Sequence, residues 1–208
     1  MKTEVLSAQA PSALPRALAI LRRGGLVAFP TDTVYGVGAL AFDAAAIEKI
    51  YEAKGRSTEK AIPILLGDTA DLEKVTAQVS EMALRLAGRF WPGPLTLVVP
   101  KHPSLPEAVS TAPTVGVRVP DHPVARALLR AAGPMAVTSA NLSGQASPCT
   151  AEEVLVQLVG RIALIIDGGK TPDGVPSTVV NCAGAEPQVL REGPITLAQI
   201  KAILTPGT

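Results

Sequence analysis

The chain has 208 residues, 47% hydrophobic and 18% charged, enough apolar surface for one good-sized core and too much for a disordered chain. A formal net charge of +1 gives no global pull towards nucleic acid, and aromatics at 3% argue against base stacking as the main binding mode. Two cysteines, Cys149 and Cys182, and two histidines, His102 and His122, show no metal-ligand spacing; two free thiols suit a reducing compartment, and no zinc site is expected.

The N-terminal stretch MKTEVLSAQAPSALPRA lacks the basic-then-apolar form of a signal peptide, and the apolar runs are short and broken. A single domain over residues 1–208, soluble and cytoplasmic, is the expectation. In chain order, SALPRALAILRRGG reads as a helix with Leu14, Leu18 and Leu21 on one face and Gly24 as its stop. A buried strand at 26–29 follows. DAAAIEKIYEAKG is a helix with Asp43 as N-cap and Gly55 as its stop. Residues 61–66 and 95–99 read as strands flanking a helix that ends near Phe90. A strand at 115–119 precedes a helix from Asp121 to about Ala132, and MAVTSA follows it.

Thr150 with Glu153, and Thr196 with Gln199, have the spacing of capping boxes for two later helices. Between them lie strands at 162–167, 177–180 and 187–190, the last two possible partners. The alternation predicts an α/β fold with a mixed sheet. Proline-rich runs at 100–113 and 171–176 read as loops on the scale of an active site.

Counting excludes several motifs. GGKT at 168–171 resembles the end of a phosphate loop, but the first glycine of that motif would fall at Leu164. Neither G-x-G-x-x-G nor G-x-S-x-G occurs. Ser57 with Lys60, Ser139 with Asn141, and Lys170 with Thr171 repeat in order the elements of penicillin-recognising acyl-serine enzymes. However, Ser57 follows a helix stop where that chemistry needs a helix start, and Pro172 stands where a glycine is expected.

Three features point to a ligand. Lys54, Arg56 and Lys60 form a cationic set at a helix end, able to grip a triphosphate or merely to complement the helix C-terminus. In TVGVRV, a period of two puts Val115, Val117 and Val119 on the core face and Thr114, Gly116 and Arg118 on the other. An arginine beside a glycine suits a carboxylate or phosphate; a solvated arginine is the alternative. Strand exits are rich in hydroxyls: Thr31 and Thr33, Thr138 and Ser139, Ser177 and Thr178, as in a polar basin at the sheet's edge. Asp32 reads most simply as bonding its own turn.

Taken together and in order, FPTDTVYGVG, KGR with Lys60, WPGPLTLV, VGVRVP, TSANLSG, PSTVV and VLREG resemble the YrdC/TsaC family of threonylcarbamoyl-adenylate synthases over roughly residues 10 to 200. The resemblance implies an open, twisted α/β sheet with a concave basic cavity, and the short, single-domain type of chain. It implies conversion of L-threonine, bicarbonate and ATP, with Mg2+, to threonylcarbamoyl-AMP and pyrophosphate. That product feeds N6-threonylcarbamoyladenosine formation at position 37 of tRNAs, through a TsaD-type transferase and accessory subunits.

By the family pattern, Thr33, Arg118 and Ser177 would hold threonine, with Thr138 or Ser139 close by. Arg56, Lys60, Thr114, Ser139, Asn141, Ser147 and Arg191 would line the nucleotide site, and Lys54 would support the phosphates, making Lys54 and Arg56 the expected catalytic pair. Tyr35 would pack the wall, with Gly36 and Gly38 letting the chain turn. Leu65 and Cys149 depart from the pattern, so any amino-acid contact at 65 is apolar. The alternatives are a double-stranded RNA-binding or ribosome-assembly module using the same cavity, and a related carbamoyl-transfer enzyme; tRNA or double-stranded RNA is a possible partner.

Overall fold

The structure, a computed structural model, describes residues 2–172 and 174–205. Its strands and helices follow in the order β1 (Glu4–Ser7), α1 (Ala13–Leu21), β2 (Val27–Phe29), β3 (Gly36–Leu40), α2 (Ala44–Lys54), β4 (Ile64–Leu65), α3 (Glu81–Phe90), β5 (Leu95–Pro100), β6 (Thr114–Arg118), α4 (Pro123–Ala132), β7 (Met135–Ser139), α5 (Ala151–Leu158), β8 (Leu164–Asp167), β9 (Thr178–Asn181), β10 (Gln188–Arg191) and α6 (Leu197–Leu204). A 3-10 turn covers Thr69–Lys74.

The helix ends are set by local chemistry. The Asp43 carboxylate accepts from the Ala46 amide at 3.0 Å to open α2, and Gly55, at φ 59°, closes it in the left-handed region that favours glycine. The capping box of Thr196 and Gln199 is complete. At α5 the Thr150 hydroxyl accepts from the Glu153 amide, but the Glu153 carboxylate reaches back one residue further, to the Cys149 amide at 2.6 Å.

All ten strands join one mixed sheet in the order β1-β8-β2-β3-β7-β4-β6-β5-β9-β10. Parallel pairs (β1 with β8, β8 with β2, β4 with β6, β5 with β9) are interspersed with antiparallel ones, as the alternating elements predict. The expected strands at 177–180 and 187–190 are indeed antiparallel partners.

Strand alternation divides the core in two. Tyr35, Val37, Leu95, Leu97, Val115, Val117 and Val180 pack on one face with residues of α2, α3, α5 and α6. Val27, Phe29, Met135, Val137, Leu164 and Ile166 pack on the other, under α1 and α4. On this second face those two helices lie over the half of the sheet around β8, β2, β3 and β7. Over β6, β5 and β9 the outward residues, Gly116, Arg118, Thr96, Val98 and Val179, line a cavity instead.

Three local expectations change. The run at 61–66 yields only the two-residue β4, because Pro63 cannot donate to a ladder; its carbonyl still accepts from the Val137 amide at 2.9 Å. The terminal β1 is an edge strand whose register is set by β8, far along the chain. Gly36 and Gly38 do not make a turn. They lie inside β3, where a Cβ on Gly38 would stand 2.7 Å from the Ala136 carbonyl oxygen, so glycine is there for close strand packing.

Candidate active site

The cavity over the uncovered half of the sheet has a volume of about 360 Å³. Its apolar floor includes Pro63, Leu65, Val98, Val137 and Val179. Gly116 keeps that floor low: a Cβ there would meet Thr96 Cγ2 at 3.1 Å and Pro63 Cβ at 3.3 Å. Above it converge Arg56, Arg118 and Arg191, with hydroxyls from Thr31, Thr33, Thr96, Thr138, Ser139, Ser147 and Ser177.

At one wall the Arg118 side chain is only 7% exposed and is held from three sides. Nε donates to the Gly93 carbonyl (2.9 Å), Nη1 to Thr33 Oγ1 (3.1 Å), and Nη2 to Asp32 Oδ1 (2.5 Å). Thr33 is itself fixed by a 3.0 Å contact between its hydroxyl and that of Thr31, which donates to the Val34 carbonyl. Burial pushes the Arg118 pKa down while Asp32 opposes the shift. Asp32 therefore does not simply bond its own turn; it is the anionic partner of a buried arginine.

A second wall is built around Ser177, at the entry to β9. Its hydroxyl lies 2.8 Å from Thr96 Oγ1, and Arg191 wraps it, donating from Nε and Nη2 to the Ser177 carbonyl and from Nη2 to its hydroxyl (3.1 Å). Arg56 folds over the turn after α2, donating to the carbonyls of Lys60 (3.2 Å) and Ala61 (3.1 Å). Burial lowers the pKa values of Arg56 and Arg191, the latter also through the nearby Arg56 charge.

Eight of the twelve residues singled out from sequence thus line one cavity: Thr33, Arg56, Arg118, Thr138, Ser139, Ser147, Ser177 and Arg191. Lys54, Lys60, Thr114 and Asn141 do not. Lys54 is 2% exposed, and its ammonium donates to the carbonyls of Ser139 (2.5 Å) and Asn141, while its own carbonyl accepts from the Ser143 amide (2.8 Å). It clamps the end of α2 to the segment leaving β7. Burial, with Arg56 adding to it, brings its pKa down to about 8.

Lys60 is an exposed residue of the turn beyond α2, and Thr114 opens β6 opposite Pro100. Asn141 is turned into its own loop, donating to the carbonyls of Leu142 and Gln145, with Oδ1 buried and unpartnered. Two further expectations are corrected. Tyr35 faces away from the cavity and donates to the Gly169 carbonyl at 2.7 Å; Thr178 is fully buried and bonded to Ile195. The 100–113 loop packs Leu105 and Val109 into the core and contributes nothing to the cavity lining. Pro176 of the 171–176 run does line it; Asp173 lies outside the described residues.

Sequence reasoning missed Thr96 and the Asp32 partnership; Thr31, expected in the basin, does line the cavity. Thr96 carried a signal, as the one hydroxyl in the apolar run LTLVV.

The profile of the Sua5/YciO/YrdC family, described as "Telomere recombination", matches residues 19–193. The chain belongs to that family. It is 48% identical to the threonylcarbamoyl-AMP synthase of Bacillus subtilis over 98% of its length, and 42% identical to the putative threonylcarbamoyl-AMP synthase of Mycobacterium tuberculosis over 90%. It superposes on the crystal structure of Pyrococcus abyssi Sua5 complexed with L-threonine with a TM-score of 0.93 at 40% identity, covering 98% of this chain. Escherichia coli YciO gives 0.84 at 29% identity, covering 96% of this chain and 98% of that one. Against the family members of B. subtilis and P. abyssi the chain spans 60% and 61% of their lengths, and against that of M. tuberculosis 87%. Among the described residues no helix is long and apolar enough to cross a membrane.

Proposed function

We propose that this chain is a threonylcarbamoyl-AMP synthase. It takes L-threonine, bicarbonate and ATP to L-threonylcarbamoyl-AMP and pyrophosphate. The observation that carries the reading is the convergence of three arginines and a ring of hydroxyls on one cavity with an apolar floor. The family relatives supply the substrate names: synthase in B. subtilis, and a threonine complex for the P. abyssi protein.

In this reading the Arg118 guanidinium, backed by Thr33 and facing Ser177, receives the threonine carboxylate as a charge-assisted pair. The threonine amine and bicarbonate condense to a carbamate with loss of water. A carbamate oxygen then attacks the α-phosphorus of ATP, and pyrophosphate leaves. Among the described residues the lining contains no His, Cys, Asp, Glu or Lys to act as a general base or side-chain nucleophile. Catalysis therefore rests on alignment and on neutralisation of phosphate charge by Arg56 and Arg191. Magnesium would enter on the phosphates of ATP and offset their charge.

Lys54 acts in this account by supporting the Ser139–Asn141 segment and not by touching phosphate. The product, a reactive mixed anhydride, would pass in the cytoplasm to a TsaD-type transferase with its accessory subunits for tRNA modification. The test is pyrophosphate release from ATP by the purified protein with threonine and bicarbonate supplied together or singly.

A further inference from the structure

We propose that Asp32 is a positioning residue for carboxylate recognition: it holds Arg118 in the one orientation that leaves the guanidinium ready for an incoming substrate carboxylate. The inference rests on the threonine-binding reading above. Asp32 sits on the loop between β2 and β3, with its side chain 12% exposed, and it does not line the cavity. It acts only through Arg118.

Arg118 has five N–H donors, and three are committed: to Gly93, to Thr33 and to Asp32. One donor on each terminal nitrogen remains, which is the set a bidentate carboxylate needs. The Gly93 and Asp32 bonds hold the edge formed by Nε and Nη2, and the Thr33 bond holds Nη1 on the other side. Of the three, the Asp32 bond alone supplies charge.

Among the described residues the second oxygen of Asp32, Oδ2, is buried with no partner, and so is Nδ1 of His122. A buried carboxylate oxygen without a partner carries a desolvation cost, set here against the charge that Asp32 offers the buried Arg118. His122 feels the charges of Asp32 and Asp121, yet burial outweighs both and keeps its pKa below the ordinary value. Among the described residues Asp32 makes one salt bridge, and that is with Arg118.

Asp32→Asn keeps the size of the side chain and an acceptor for Nη2 while removing the charge that orients the guanidinium. Titration calorimetry would measure L-threonine and ATP on wild type and D32N, and steady-state assays would give KM for each substrate. The expected result is a Kd and KM for threonine raised about ten- to hundredfold, with ATP affinity unchanged and kcat at saturating threonine within about threefold. Equal threonine affinity in D32N and wild type overturns the proposal, as does an equal loss for threonine and ATP. If D32N fails to bind ATP and shows no folded transition, Asp32→Glu decides. It keeps the charge but displaces the carboxylate by one methylene, and threonine affinity must then fall at least tenfold with ATP binding intact. Failure of wild type to bind threonine would instead refute the functional reading itself.

Discussion

Replacing Lys54 by methionine tests whether this residue supports the cavity wall or contacts phosphate. The substitution removes an ammonium that donates to the carbonyls of Ser139 and Asn141, leaving both without that partner in a buried place. Each orphaned carbonyl costs about 1–3 kcal/mol, or about 4 kcal/mol for the pair at mid-range. Against this, the fall of the Lys54 pKa from 10.5 to about 8 shows that burying the charge costs about 3 kcal/mol, which methionine relieves. The net destabilisation is therefore about 1 kcal/mol.

For a chain of this size that corresponds to a Tm lowered by about 2–4 °C. Differential scanning calorimetry would measure the shift, and ATP titration below the transition would measure binding. The expected outcome is a lower Tm with ATP affinity reduced only a fewfold, through loosening of the segment that carries Ser139. A variant that melts with wild type yet loses ATP binding a hundredfold would refute the reasoning and return Lys54 to the phosphates.

Three other outcomes follow from the same geometry. Arg56→Ala, at a half-buried side chain whose partners are turn carbonyls, should lower kcat/KM for ATP about ten- to hundredfold while Tm moves by less than about 3 °C, read by kinetics and melting. Gly116→Leu should fill the cavity floor and abolish threonine binding by calorimetry, with overpacking against Thr96 and Pro63 costing about 1–3 kcal/mol. Because burial lowers the Lys54 pKa to about 8, its ammonium is mostly charged at pH 7 and loses its proton as pH rises past 8. NMR of the lysine Nζ should find that titration far below the usual value near 10.5, with activity little changed through it, since the neutral amine still donates to both carbonyls.

Much of this arrangement is legible in the chain because short-range physics fixes it. The period of two in TVGVRV puts Arg118 and Gly116 opposite the core valines, and the structure keeps both on the cavity. Asp43 and Gly55 bound α2 to the residue, since a cap acts within three or four positions. Hydroxyls at strand exits gather in the cavity wherever the strand ends beside it, as at Thr33, Ser139 and Ser177.

What fails to show is settled by elements distant in sequence. Lys54 looks like a member of a cationic cluster with Arg56, but the segment leaving β7 crosses the end of α2 and captures its ammonium. Asp32 looks like an ordinary turn residue, because its partner Arg118 lies on a strand that only the sheet order brings near. Tyr35 alternates with Gly36 along one chain segment, so its ring belongs to the opposite face from the cavity and bonds Gly169 instead. The edge strand β1 has no alternation of its own strong enough to reveal it; its pairing with β8 defines it.

The decisive measurement is pyrophosphate release from magnesium-ATP, with L-threonine and bicarbonate supplied together, singly and not at all. Release that requires both co-substrates is the predicted result. Release independent of threonine or of bicarbonate, or none at all with salt-sensitive binding of RNA in its place, would contradict it.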